Sequence, residues 1–209
     1  MMRTSIALVA STLLLAGCSG TRNSSQDQSQ GAETGQGPAA AAPGGGASTA
    51  PAAAPAGPMK VPEWMKVDRS KKSVTMNIEA GKTEANNHWN FNGFANGNAT
   101  IAVPVNYAVQ IEFKNDDKAV AHSIGVDKRT GEFPPTMANP QPVFPKAISS
   151  KPTDPAAGVA PGKSETVSFK ATAPGHYSLV CYMPGHAAAG MWVRFDVSPD
   201  TTAGVRSAQ

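Results

Sequence analysis

Cys181, His186 and Met191 stand five residues apart in turn, in Cys181-Tyr182-Met183-Pro184-Gly185-His186-Ala187-Ala188-Ala189-Gly190-Met191. A strand-like run, Gly175 to Cys181, leads into this stretch, and another, Met191 to Val197, leads out of it. Pro184-Gly185 marks a turn between them. A chain built this way must fold so that one loop between adjacent strands offers a thiol, an imidazole and a thioether to a single point. Those are soft or borderline metal ligands. Two strong ligands with a weak axial Met suit copper moving between two oxidation states, and one further His would complete a His₂Cys trigonal set.

That further His has three candidates outside the loop: His88, His122 and His176. His176 has the opposite parity to Cys181 on the same strand, so its side chain is expected to point away from the ion. His88 lies between Asn87 and Trp89 with no ligand-like companion. His122 sits in the apolar run Val120-Ala121-His122-Ser123-Ile124-Gly125-Val126. Met191 is the axial candidate, although its place on a strand also fits a core Met. Met183 is a weaker candidate, expected to be ordinary loop packing.

The loop resembles the copper loop of the blue copper proteins, the cupredoxins. The ligand spacings, and Pro184-Gly185-His186-Ala187-Ala188 followed by Gly190-Met191, are most similar to the sulfocyanin and rusticyanin branch. Upstream, Asn92-Gly93-Phe94-Ala95-Asn96-Gly97 and then Thr100-Ile101-Ala102-Val103-Pro104 resemble the sulfocyanin pattern. The likeness spans roughly residues 72–198. It implies a cupredoxin-like Greek-key β-sandwich and one type 1 copper ion held by His122, Cys181, His186 and Met191. It also implies that His186 is the solvent-near ligand, with Ala187, Ala188 and Ala189 as an uncharged rim where a partner approaches. Many cupredoxins carry Asn after the first His, whereas rusticyanin-like ones carry Ser, as here at Ser123. A hydroxyl there changes hydrogen bonding around the thiolate and leans the site towards high potential. Asn115 is a second candidate for support around the metal, or else a turn residue in Asn115-Asp116-Asp117.

The remaining pattern is all-β. Val74, Met76 and Ile78 alternate with polar residues, as do Val109, Ile111 and Phe113, then Val167 and Phe169. Met191, Val193, Phe195 and Val197 share one parity. Period two with one apolar face is the mark of a half-buried strand, and several such strands between turns predict a sandwich. No long amphipathic helix is legible. Between Asp127 and Gly162 the alternation breaks in a proline-rich segment. Phe133, Met137, Val143 and Phe144 are expected to pack over the core or the site.

The first 60 residues read differently. Residues 1–17 carry Arg3, an apolar run from Ile6 to Ala16 and small residues, a secretory signal too short to span a membrane. Leu15-Ala16-Gly17-Cys18 resembles a bacterial lipobox, which implies cleavage before Cys18 and its lipidation. More than one acyl chain anchors stably. Residues 18–60, rich in Ala, Gly, Pro and Ser, cannot offset their own ordering entropy and are expected to be a disordered linker. A coil of ~40 residues spans about 35 Å. The folded domain is expected over 61–198, with 199–209 as a C-terminal tail.

Cys18 and Cys181 are the only cysteines, so no disulfide framework is available, and an unpaired thiol in an exported domain calls for a role such as metal ligation. A net charge of +3, interspersed, argues against nucleic acid as a partner. The expected activity is single-electron shuttling by outer-sphere transfer at a lipid-anchored site where no substrate need bind the metal. The resemblance implies cytochromes or a terminal oxidase as partners, and the protein is expected to be a monomer facing the periplasm or cell exterior. A copper enzyme would need further paired His ligands, and four His with no His-x-His do not supply them. Copper storage or delivery is the alternative, although the eight Met residues are scattered.

Overall fold

The computed structural model describes residues 55–207, and these contain nine strands and no helix. The strands are β1 Met65–Asp68, β2 Ser73–Ala80, β3 Ala99–Pro104, β4 Ala108–Asn115, β5 Gly125–Asp127, β6 Ser164–Lys170, β7 Gly175–Val180, β8 Trp192–Ser198 and β9 Gly204–Ser207. They form two sheets, one in the order β1-β2-β4-β6 and the other β5-β7-β8-β3-β9. β2 runs parallel to β4 and β3 parallel to β8, while every other strand pair is antiparallel. The signal segment, Cys18 and nearly all of the expected linker lie outside the described residues.

The alternating segments become strands with one face inward. Val74, Met76 and Ile78 of β2, Val109, Ile111 and Phe113 of β4, and Val167 and Phe169 of β6 are all buried. Ile101 and Val103 of β3, Leu179 of β7 and Val193, Phe195 and Val197 of β8 face them in the same core. Aromatic contacts join the layers: Phe169 meets Phe195 edge-on at 6.2 Å between centroids, and Phe144 stacks on Phe169 at 5.7 Å. Each fully buried side chain of this size is worth about 1.5–3 kcal/mol of apolar transfer. The core therefore lies between the sheets and leaves the strand ends free to carry a site.

Two findings differ from the expected boundaries. Residues 199–209 were expected as a tail, yet Gly204–Ser207 forms β9, paired with β3 and bridged to Lys60 through Val205. The proline-rich segment after β5 is a strap rather than a loose loop. It is tied by Val143 N–H to Val126 O (3.1 Å), Ser149 N–H to Ile124 O (2.9 Å) and Val159 N–H to His122 O (3.0 Å). Phe144 joins the main core, and Phe133 and Met137 form a second cluster with Val180, Tyr182, Ala187 and Trp192. The apolar residues of the strap thus serve packing, as their chemistry suggested.

Candidate metal centre

Three segments converge beyond the ends of β7 and β8. Cys181 follows directly on β7, and its N–H donates to Met191 O at 3.1 Å, which closes the neck of the loop. Within the loop His186 N–H donates to Met183 O, and Met191 N–H donates back to His186 O at 2.9 Å. Gly190 has φ +99°, and a Cβ there would overlap the Asn96 side chain, so only glycine fits between the loop and that neighbour. His122 comes from the other side, before β5, on a backbone bridge to Val159.

The result is a compact set of donors. The ligand atoms of His122, Cys181 and His186 all lie within 4.8 Å of one another, and all three residues are buried. Cys181 Sγ is 3.8 Å from His122 Nδ1 and 3.4 Å from His186 Nδ1, and the two Nδ1 atoms are 3.2 Å apart. Met191 is fully buried and bound through its backbone to both Cys181 and His186, which places it at the neck of the same loop. Met183 packs in the main core against Gly158, as an ordinary apolar residue. His176 is exposed and pairs with Asp196 at 2.8 Å, and His88 pairs with Glu84 at 3.0 Å, so neither reaches the centre.

The supports are specific. His122 Nε2–H donates to Asp117 Oδ2 at 3.0 Å, which leaves the Nδ1 lone pair aimed at Cys181 and His186. Burial works to raise Asp117, but hydrogen bonds from Ala119 N–H, His122 and Val120 N–H outweigh it and hold the carboxyl below its usual range. Burial lowers His122 despite that carboxylate, and burial together with the nearby His122 pushes His186 down to about 4. Burial pushes the Cys181 thiol up to about 11, against the Ser123 N–H that favours thiolate. Ser123 N–H reaches Cys181 Sγ at 3.4 Å, its Oγ lies 3.7 Å from the sulfur, and that Oγ accepts from Tyr182 N–H at 2.9 Å. Asn115 supports the site at one remove. Its amide donates to Val120 O and Val159 O, both at 2.8 Å, and so joins the two segments that flank His122.

Two neutral imidazoles and a thiol with lone pairs turned on one buried point satisfy none of each other well. A thiophilic cation satisfies all of them, so the donor set fits copper. The rim differs from expectation. Ala187 is buried in the second cluster, leaving Ala188 and Ala189 at the surface, and His186 is itself only 7% exposed. Asp117 and Trp89, which stacks on His186 at 4.1 Å, were not singled out by sequence. The acid five residues before His122 was the one available signal for Asp117.

A two-sheet sandwich with a buried His, Cys, His set at its end, closed by a Met, defines a blue copper protein of the cupredoxin class. Residues 61–206 match the family described as the sulfocyanin (SoxE) domain, and the chain belongs to that family. Sulfocyanin of Sulfolobus acidocaldarius is 26% identical over 136 residues, covering 64% of this chain and 68% of that protein. Among solved structures, reduced auracyanin of Roseiflexus castenholzii is 26% identical, covering 60% of this chain and 97% of its own, with a TM-score of 0.42. Rusticyanin of Thiobacillus ferrooxidans is 25% identical, covering 65% and 86%, with a TM-score of 0.40. The cofactor of such a protein is one type 1 copper ion, and its work is electron transfer.

Proposed function

We propose that this protein is an exported, lipid-anchored carrier of single electrons between respiratory-chain partners, cytochromes or a terminal oxidase, holding copper through His122, Cys181, His186 and Met191. The observation that carries the reading is the burial of the donors. His122 and Cys181 are fully buried and His186 nearly so, which leaves a substrate no path to the metal but leaves an electron only a short distance to cross. Copper bound there supplies a one-electron couple between its two oxidation states. The protein supplies the rest. Asp117 fixes one imidazole, Ser123 N–H stabilises negative charge on sulfur, and the apolar core that takes in Cys181 and Met191 keeps water out. A centre that moves little between oxidation states exchanges electrons without binding or changing a substrate.

The anchor in this proposal is Cys18, and the lipobox-like Leu15-Ala16-Gly17-Cys18 is its support. The linker after it gives the domain reach from a membrane facing the periplasm or exterior. The protein acts as a monomer, without nucleic acid.

Copper(II) titration tests the site. One equivalent should produce an intense thiolate-to-copper absorption band that Cys181→Ser abolishes, whereas weak absorption alone, or several ions per chain, would reject the carrier reading in favour of storage. Fatty-acid labelling that survives Cys18→Ala would reject the anchor.

A further inference from the structure

The two histidines of the centre are held in different ways. His122 is fixed by a hydrogen bond from Nε2 to Asp117. His186 has no such partner: among the described residues nothing in the protein hydrogen-bonds its Nε2, and its Nδ1 faces His122 and Cys181. Its ring is instead covered by the Trp89 indole, with centroids 4.1 Å apart and planes 21° from parallel. The His122 ring meets it edge-on at 4.9 Å, on a plane inclined by 61°.

Trp89 is not there by general packing alone. Asn86, Asn87 and His88 have φ of 49°, 54° and 65°, three successive non-glycine residues in the left-handed region. Asn and His are among the non-glycine residues that visit this conformation most readily, but three in succession remain uncommon and persist only where their surroundings fix them. Those surroundings are visible. Trp89 N–H donates to Asn86 O at 3.0 Å, closing the turn. The Asn86 amide donates to Trp89 O at 2.8 Å and to Ala189 O at 3.0 Å, joining the turn to the copper loop itself. Buried Asn90 then donates to Thr83 O and Ala85 O, both at 2.8 Å, and accepts from Gly93 N–H. Further along, Asn96 N–H donates to Gly190 O at 2.7 Å and Gly97 N–H to Trp192 O at 3.1 Å. Residues 86–97 thus form a clamp along the loop that carries His186.

We infer that Trp89 is a positioning residue of the metal centre: presented by the left-handed turn Asn86-Asn87-His88, it sets the plane of the His186 imidazole and bars water from it. This rests on the copper-site reading above. An imidazole with no hydrogen bond to orient it turns more easily about its side-chain torsions, and each turn would change its bond to the metal. A stacked indole resists that rotation while leaving Nδ1 free. It also replaces water over the face of the ring, and a drier ligand disfavours the more highly charged ion.

The test compares the copper-loaded protein with Trp89→Ala, Trp89→Phe and Asn86→Ala, reading the midpoint potential and the copper(II)-induced relaxation of water protons. Asn86→Ala loosens the turn while leaving the indole in place, so it serves even if the alanine variant at residue 89 folds poorly. The expected result is a lower midpoint with faster water relaxation in Trp89→Ala, a smaller shift in the same direction in Asn86→Ala, and near recovery in Trp89→Phe, which keeps a stacked ring. Unchanged midpoint or relaxation in both alanine variants, or a Phe variant displaced as far as the Ala variant, overturns the inference. Absence of the intense charge-transfer band in the unsubstituted protein would instead overturn the copper-site reading.

Discussion

Asp117 and Ser123 divide the support of the centre between them, one behind an imidazole and one beside the sulfur. Removing such a partner of a ligand typically costs 10–100-fold in metal affinity. Asp117→Asn should therefore weaken copper binding by about that factor, measured by competition with a chelator, with the stoichiometry unchanged. Protonation gives a second expectation. In the metal-free protein at pH 7, the thiol of Cys181, pushed up to about 11, holds its proton, while His186, pushed down to about 4, holds none beyond its neutral form. Copper binding should then release about one proton per ion, from the thiol, as calorimetry in buffers of different ionisation enthalpy will show. The same raised thiol has a sign for stability. Its folded value lies above its ordinary one, so its contribution to the metal-free fold is present at neutral pH and lost as pH rises from 9 towards about 11. Cys181, His186 and Met191 were legible because their spacing is chemical information. Asp117 and Trp89 were not, because each acts through a neighbour that only the fold supplies.

At the level of elements, β2, β4, β6 and β8 were legible in the sequence and β1, β3, β5 and β9 were less so. β2 and β4 alternate buried and less buried positions along their length, so period two survives in the sequence. β3 is buried at all six positions, so its alternation is erased, and only the likeness of Thr100 to Pro104 to a known pattern pointed to it. β5 has three residues and β9 four, too few to show a period. β9 matters nonetheless, since it covers the edge of β3 and holds Lys60 through both backbone bonds of Val205. A chain ending at Ser198 should lose those bonds and expose β3 as an edge. Its thermal midpoint should fall, by about 2–4 °C for each kcal/mol lost in a domain of this size. An unchanged midpoint would mean that β9 contributes nothing to the sheet's stability.

Across the whole domain, the donors come from stretches far apart in the chain: 59 residues separate His122 from Cys181, and the clamp on His186 begins near residue 86. The strap adds a fourth stretch, with Gly185 N–H donating to Pro135 O at 2.7 Å. Contacts of such sequence separation form late and slowly. Refolding followed by Trp fluorescence should run at the same rate with and without copper, and the charge-transfer band should rise only after it. A band that precedes the fluorescence change would mean that the ligands meet before the sheets close.

The covering of His186 by Trp89 bears on maturation. Once both layers have closed, the ring through which an ion would most easily arrive is already roofed by an indole. Metallation therefore has a season: it must catch the end loops while they still breathe, or wait for the roof to lift. The same roof that delays the ion's arrival also slows its escape, so the domain keeps the ion it has once acquired.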